Sequence, residues 1–357
     1  MRRLSICLIL SVWTSLLNAQ FTDMSASLTG VLQSSVAWGD YDNDGDLDIA
    51  LIGWTGSERI SKVYRNDGGT FVDLSASLIG VNAGSVAWGD FDNDGDLDLV
   101  LMGFNPDVGG VISKIYRNDA GTFVEHLSSL RGSELGATAW GDYDNDGDLD
   151  LLITGLGQST IYRNDEGSFL DIRPGLTGVS NSSAAWGDYD NDGDLDILLT
   201  GLVTISNFVT KVYRNDGSGF VDIGAPLVGV STIGGSSISR SAEWGDYDND
   251  GDLDILVTGR TVANELVAKV YRNDAGNFSD IAAGIIGISE SSVAWGDYDN
   301  DGDLDIALCG WTGSESISKI YRNDNGTFVV DISAILIGVN IGSVAWGDYD
   351  NDGDLDI

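Results

Sequence analysis

The sequence predicts an all-β fold, a seven-bladed β-propeller of four-stranded antiparallel blades with the last repeat incomplete, and three observations carry that reading. The string Trp-Gly-Asp-Tyr-Asp-Asn-Asp-Gly-Asp-Leu-Asp begins at Trp38 and returns at Trp88, Trp140, Trp186, Trp244, Trp295 and Trp346, with Phe91 replacing Tyr once. A second marker, Tyr-Arg-Asn-Asp, falls between the copies at Tyr64, Tyr116, Tyr162, Tyr213, Tyr271 and Tyr321. Each unit of roughly 50 residues offers four short apolar or alternating runs and no helical periodicity.

In the first unit the runs are Ser35 to Trp38, Leu47 to Ile52, Ile60 to Arg65 and Thr70 to Leu78. Asn66-Asp67-Gly68-Gly69 joins the third to the fourth, the composition that hairpin turns with positive φ require. Radial closure of such units protects the sheet edges that an open array would expose. A calcium-binding β-roll is excluded, because its repeats of about nine residues are several times shorter. All twelve Tyr and seven of the ten Trp belong to the two markers, so the aromatics are expected to pack between neighbouring blades. Phe21 to Leu28 matches the fourth-strand segment Phe71 to Leu78, and the seventh unit stops at Ile357, just inside its second strand. Gly53 to Val72 resembles Gly310 to Val329 five repeats later, which reads as recent duplication.

Residues 1–19 read as a secretory signal, with Arg2 and Arg3 before the apolar run Leu4 to Leu17, leaving 20–357 as one propeller domain. The run is short of the ~20 residues that span a bilayer, and no later segment replaces it, so no transmembrane segment is expected. Export makes the chain secreted, extracellular or cell-surface. Cys7 leaves with the signal, and Cys309 alone cannot form an internal disulfide. Asn181, Asn277 and Asn325 fit the glycosylation acceptor pattern, a short motif with little weight. With 56 acidic against 18 basic residues and a formal charge of -38, nucleic acid and anionic membrane are poor partners.

The acidic nonapeptide carries the chemistry. Asp40, Asp42, Asp44 and Asp48 stand at positions 1, 3, 5 and 9, Gly45 permits the sharp turn at position 6, and the backbone carbonyl of Asp46 can complete an oxygen cage. The equivalent sets are Asp90, Asp92, Asp94, Asp96 and Asp98; Asp142, Asp144, Asp146, Asp148 and Asp150; Asp188, Asp190, Asp192, Asp194 and Asp196. They continue with Asp246, Asp248, Asp250, Asp252 and Asp254; Asp297, Asp299, Asp301, Asp303 and Asp305; and Asp348, Asp350, Asp352, Asp354 and Asp356. Calcium accepts six to eight such oxygens flexibly, magnesium dehydrates reluctantly, and zinc prefers nitrogen and sulfur. Without a cation, carboxylates ~4 Å apart repel by roughly 4 kcal/mol at an effective dielectric near 20. About one calcium per repeat is therefore expected, and seven would bring the formal charge from -38 to -24. Position 12 is Leu51, not Glu, so the loop is not an EF-hand.

These residues, with Ser35-Val36-Ala37 ahead of Gly39-Asp40, resemble the FG-GAP/VCBS repeat family, whose members include the propeller of integrin α chains. The resemblance covers the whole chain after the signal and implies metal-ligand roles for the loop aspartates. The Phe-Gly pair before Ser-Val-Ala is absent, and Ile52-Gly53-Trp54 stands where Gly-Ala-Pro would, so the repeats are more similar to the microbial type than to the integrin form.

Spacing separates a constant end from a variable one. From marker Tyr to the next loop Asp the distance is 26 residues in four of six cases, whereas from loop Asp to marker Tyr it ranges from 20 to 26. Variation lies between strands two and three, as at Phe104 to Gly110 and Arg260 to Leu266, plus an insertion at Ser231 to Arg240. The expected function is an adhesion or recognition module that binds an extracellular protein or glycan through the variable end, with calcium structural at the other and no catalytic residues. The alternative is a carbohydrate-active enzyme, a polysaccharide lyase or sugar dehydratase, which the family resemblance also allows. His126 sits where Leu74 stands in the first unit, and Cys309 where Ile52, Met102 and Thr200 stand, so both read as strand residues. The marker arginines are expected to pair with a nearby acid and order the turn.

Overall fold

A computed structural model describes residues 21–231 and 241–357. The signal segment 1–19, with Cys7, and most of the 231–240 insertion lie outside the described residues. Six sheets of four strands follow one another along the chain, each a simple antiparallel meander. The first contains β1 (Leu32–Gly39), β2 (Asp48–Trp54), β3 (Arg59–Asn66) and β4 (Phe71–Asp73). The second contains β5 (Val86–Gly89), β6 (Asp98–Asn105), β7 (Gly110–Asp119) and β8 (Thr122–His126), and the rest occupy 138–171, 180–222, 242–280 and 289–330. Among the described residues no helix is long and apolar enough to cross a membrane.

The expectation of seven blades is corrected to six. The described residues of the seventh unit supply an inner segment and a loop joined by the single bridge between Gly347 and Asp356. The fourth strand is also shorter than expected: Asp73 Oδ1 accepts the Ser75 N–H at 2.8 Å, and Ser75 turns to φ 53°, so that the last bond to the third strand is from the Leu74 N–H to the Val63 carbonyl at 2.9 Å.

Sheets covered on both faces bury consecutive residues instead of alternate ones. Thus Asp48 to Gly53 are all buried along β2. The core lies between blades: Ala50, Ile52 and Val63 of the first pack against Leu99 and Leu101 of the second. Tyr41, Trp88 and Phe123 cap this layer, Tyr41 stacking on Trp88 at 6.1 Å and tilting against Phe123 at 5.7 Å. The same trio recurs as Tyr189, Trp244 and Phe278. The inner strands surround a central channel of about 300 Å³ lined largely by serine and alanine, into which Glu243 alone brings a charge among the described lining residues.

The Trp-Gly pair of each unit is an inter-blade joint. A Cβ on Gly89 would lie 2.5 Å from Trp140 Cδ1, and one on Gly39 2.6 Å from Trp88 Cδ1. Around the ring, Gly347 faces Trp38 in the same way, at 3.1 Å. Gly89→Ala must therefore push a packed indole aside, and overpacking of this kind costs roughly 2–3 kcal/mol; denaturant unfolding should show that loss with an unchanged slope.

Candidate metal centres

The connection from first to second strand in each blade is the acidic loop, and backbone amides fold it around its first aspartate. Asp40 Oδ1 and Oδ2 accept the N–H groups of Asp44 and Gly45, each at 3.0 Å, and Asp44 Oδ1 accepts the Asp46 N–H at 2.9 Å. Position 4 turns left-handed at Asn43 (φ 58°), and position 6 follows at Gly45 (φ 96°). This turn directs single carboxylate oxygens of Asp40, Asp42 and Asp48 to within 4.8 Å of one another. Asp90, Asp92 and Asp94 converge likewise in the second loop.

Position 9 is fully buried in six of the seven loops, as at Asp48 and Asp98, and half-buried at Asp356. Its two oxygens accept backbone N–H groups from opposite sides, Tyr41 at 3.1 Å and Asn66 at 2.7 Å for Asp48. Burial nevertheless pushes the Asp48 carboxyl up to about 7, against those two hydrogen bonds. Burial, then the charges of Asp44 and Asp40, raises Asp42. In four loops the position-3 carboxylate has a buried oxygen without a hydrogen-bond partner: Asp92, Asp190, Asp248 and Asp299, each at Oδ1. Converging oxygens, a buried orphan acceptor and mutual repulsion fit a hard divalent cation, and the converging side-chain groups are all carboxylates.

The side chain at position 7 does something else. Asp46 Oδ2 accepts the Gly68 N–H of its own blade's hairpin at 3.0 Å, and its Oδ1 accepts the Asn351 amide at 2.9 Å. Its carboxylate is thus committed to neighbours.

The position-4 asparagine is a functional residue that the sequence reading passes over. Asn43 Nδ2 donates to the Gly95 carbonyl at 3.1 Å and to Asp96 Oδ1 at 3.0 Å in the next loop. Asn93, Asn145, Asn191, Asn249 and Asn300 repeat the link, and Asn351 returns it to Gly45 and Asp46. Seven loops therefore form one closed hydrogen-bonded ring, although only six blades are complete. The invariance of this asparagine within the seven copies was the available signal.

A pH dependence follows for the metal-free chain. Asp48, Asp98, Asp150, Asp196, Asp254 and Asp305 stand near 7 in the folded state, above their ordinary 3.8, in every case chiefly through burial. Between those values the folded chain holds protons the unfolded chain has released. The stabilisation is complete below about pH 4 and lost as pH rises through 7. In chelator the melting temperature should be several degrees higher at pH 5 than at pH 7.5, measured by scanning calorimetry.

The other sequence-predicted residues lie outside the loop segments, some of them against a loop. His126 lies in β8, its ring 4.9 Å from Phe91 and Nε2 2.8 Å from the Gly167 carbonyl. Cys309 is buried, and burial pushes its thiol up to about 11. Five of the six marker arginines pair with the acid two residues on, as Arg65 does with Asp67 at 2.9 Å. At the opposite end from the acidic loops, the connections from second to third strand vary among the blades, although the first and sixth share the sequence Thr-Gly-Ser-Glu at 55–58 and 312–315. One is a 3-10 turn at Pro106–Val108 capped by Asn105, and another is only the pair 156–157. Between the first two blades, Arg59 lies 4.8 Å from the Trp54 ring and 5.2 Å from the Phe104 ring, and its Nε donates to Asn82 Oδ1 at 2.8 Å.

A comparison with curated proteins finds no match. Among solved structures, an Agrocybe aegerita lectin that recognises non-reducing terminal N-acetylglucosamine is 20% identical over 85% of this chain and 80% of its own, with a TM-score of 0.56. The exotype rhamnogalacturonan lyase YesX is 14% identical over 84% of this chain and 56% of its own, at 0.47, and the V. cholerae biofilm matrix protein Bap1 is 12% identical over 91% and 84%, at 0.45. At these identities the likeness to the lectin is one of fold. The profile of the FG-GAP-like repeat matches residues 40–101, 142–199, 202–257 and 261–308, more than half of the sequence, and the chain belongs to that family.

Proposed function

We propose that the chain is an exported recognition module in which calcium ions staple the loop ring and the opposite end binds a glycan or protein. The observation that carries this reading is the division of each blade. One end repeats the same acidic loop and the same asparagine link in every unit, while the other varies in length and sequence among the blades, only the first and sixth sharing the same connection. Rigid, repeated supports with variable connections above them suit recognition, since loops on a fixed scaffold can change without loss of the core.

In each loop the carboxylates at positions 1, 3, 5 and 9 and the position-7 carbonyl would hold the ion, which would supply the positive charge that offsets their repulsion. The buried position-9 aspartate transmits that order inward, because its oxygens already anchor the marker Asn and the loop Tyr. At the variable end the Arg59 guanidinium between Trp54 and Phe104 offers what a sugar needs, apolar faces for its C–H groups and donors for its hydroxyls. The fold likeness to the lectin makes glycans ending in N-acetylglucosamine the first ligands to try.

A glycan array probed with the chain in calcium should reveal a preferred class. Trp54→Ala and Arg59→Ala should each weaken that binding tenfold or more while the melting temperature stays within a few degrees. Retained binding in both variants would remove this surface from the reading, and depolymerisation of the bound polysaccharide would replace recognition by catalysis.

A further inference from the structure

The first and sixth blades hold near-copies of one surface, and the two copies differ in charge. From Gly53 to Val72 and from Gly310 to Val329 the sequences differ at three positions. Val63 and Ile320 are both buried, and Gly68 and Asn325 lie in the hairpin between third and fourth strands. Only the remaining difference, Arg59 against Ser316, falls at the variable end, where both residues open the third strand opposite Trp54 and Trp311.

Both residues feed the same side-chain relay. In the sixth blade Ser316 Oγ donates to Asn340 Oδ1 at 2.9 Å, and Asn340 Nδ2 donates to Glu290 Oε2 at 2.7 Å. In the first blade Arg59 Nε donates to Asn82 Oδ1 at 2.8 Å, and Asn82 Nδ2 donates to Gln33 Oε1. One copy therefore links a hydroxyl through an asparagine to a carboxylate and is negative. The other links a guanidinium through an asparagine to a neutral amide and is positive. Where the sixth blade places an acid one asparagine away, Arg59 has none.

The arginine is held ready and left without a counter-ion. Ten basic side chains among the described residues pair with a carboxylate, and Arg59 is not among them. Its Nε is committed to the buried Asn82, while Nη1 and Nη2 meet no acceptor among the described residues. The Trp54 and Phe104 rings flank the half-buried guanidinium at 4.8 and 5.2 Å, which fixes its plane before any ligand arrives. Two terminal nitrogens of one guanidinium present parallel N–H groups that match the two oxygens of a carboxylate, whereas a sugar hydroxyl uses one of them.

We propose that the Arg59 site receives the carboxylate of an acidic sugar, a uronate or a sialate, within a glycan held by the variable end. The inference rests on the reading of that end as a glycan-binding surface and adds the charge of its ligand. Nη1 and Nη2 donate to the two carboxylate oxygens, and the half-buried Trp54 and Phe104 rings meet the C–H groups of the sugar. Gln33 in place of an acid keeps the relay from competing for the guanidinium.

The test titrates the full chain, in excess calcium, with oligosaccharides ending in glucuronate, galacturonate or sialate and with the same oligosaccharides after reduction of the carboxyl group to the alcohol. At least one acid form should bind tenfold or more tighter than its reduced form by calorimetry. Arg59→Ser, the side chain that the same relay carries in the sixth blade, should erase that preference while the melting temperature stays within a few degrees. Arg59→Lys should restore little of it, since a point charge lacks the fork. Gln33→Glu should weaken the acid form more than the reduced one. No binding of any acid form, equal binding of acid and reduced forms, or a preference that persists in Arg59→Ser overturns the inference. If reduced forms still bind and Trp54→Ala releases them, the glycan reading survives that failure; if no glycan binds at all, both fall together. Arg59-dependent binding of a peptide carboxylate in place of any sugar also overturns the inference, by giving the site to a protein.

Discussion

Withdrawing calcium at neutral pH is expected to lower the melting temperature by on the order of 20 °C. The estimate comes from mass action: an ion that binds only the native state at 100 times its dissociation constant adds about 2.7 kcal/mol, and seven independent sites would add roughly 19 kcal/mol. Spread over about 2.1 cal/mol/K of unfolding entropy per residue for a chain of 357 residues, this is a shift of tens of degrees. Its physical source is in the loops themselves. Asp42 feels Asp44 and Asp40, and Asp48 is buried with its carboxyl raised, so the metal-free fold holds either repelling charges or protons. Bound calcium would replace both. The pH response should accordingly reverse on adding calcium: in chelator stability falls as pH rises towards 7.5, whereas in calcium it rises, because metal and proton compete for the same oxygens. Scanning calorimetry at pH 5 and pH 7.5, with calcium and with chelator, measures the shift and the reversal together.

The second large effect is expected from Asn118→Ala. Asn118 is fully buried, and its amide donates to the Tyr41 carbonyl of the first unit at 2.8 Å and to the Leu97 carbonyl at 3.2 Å, while its Oδ1 accepts the Gly121 N–H at 2.7 Å. One side chain therefore joins the third strand, the hairpin turn and the adjacent blade. Alanine leaves two carbonyls and an N–H without it, and buried groups left unpaired cost about 1–3 kcal/mol each, so a loss of roughly 4 kcal/mol is expected in urea unfolding. Arg65→Ala, one residue before the equivalent Asn66, removes only an exposed pair with Asp67 and should leave the melting temperature within a degree or two. Similar losses in the two variants would contradict the role assigned to the asparagine.

The blades and the loops were legible in the sequence because both are local. Alternation, the Asn-Asp-Gly turn and the spacing Asp40, Asp42, Asp44, Asp48 specify a strand, a hairpin and a tight acidic turn within a few residues of chain. What the sequence hid is contact between units. Gly89 meets Trp140, Asn43 meets Asp96 and Asn118 meets Tyr41, each across 50 residues or more. Identity among repeats marks such residues as fixed without saying what they touch. The seventh blade was expected from seven copies of the loop, and the loop ring does close with seven members. Among the described residues the seventh unit forms its loop and a single bridge but no four-stranded sheet, so seven loops stand beside six complete blades.

The central claim is that each acidic loop holds a calcium ion that staples the ring, and counting the ions tests it most directly. Native mass spectrometry of the chain, first stripped with chelator and then equilibrated with calcium, should show discrete additions up to seven ions per chain. A folded chain that takes up none, or that takes up the same number after Asp92, Asp190 and Asp248 are changed together to Ala, would contradict it.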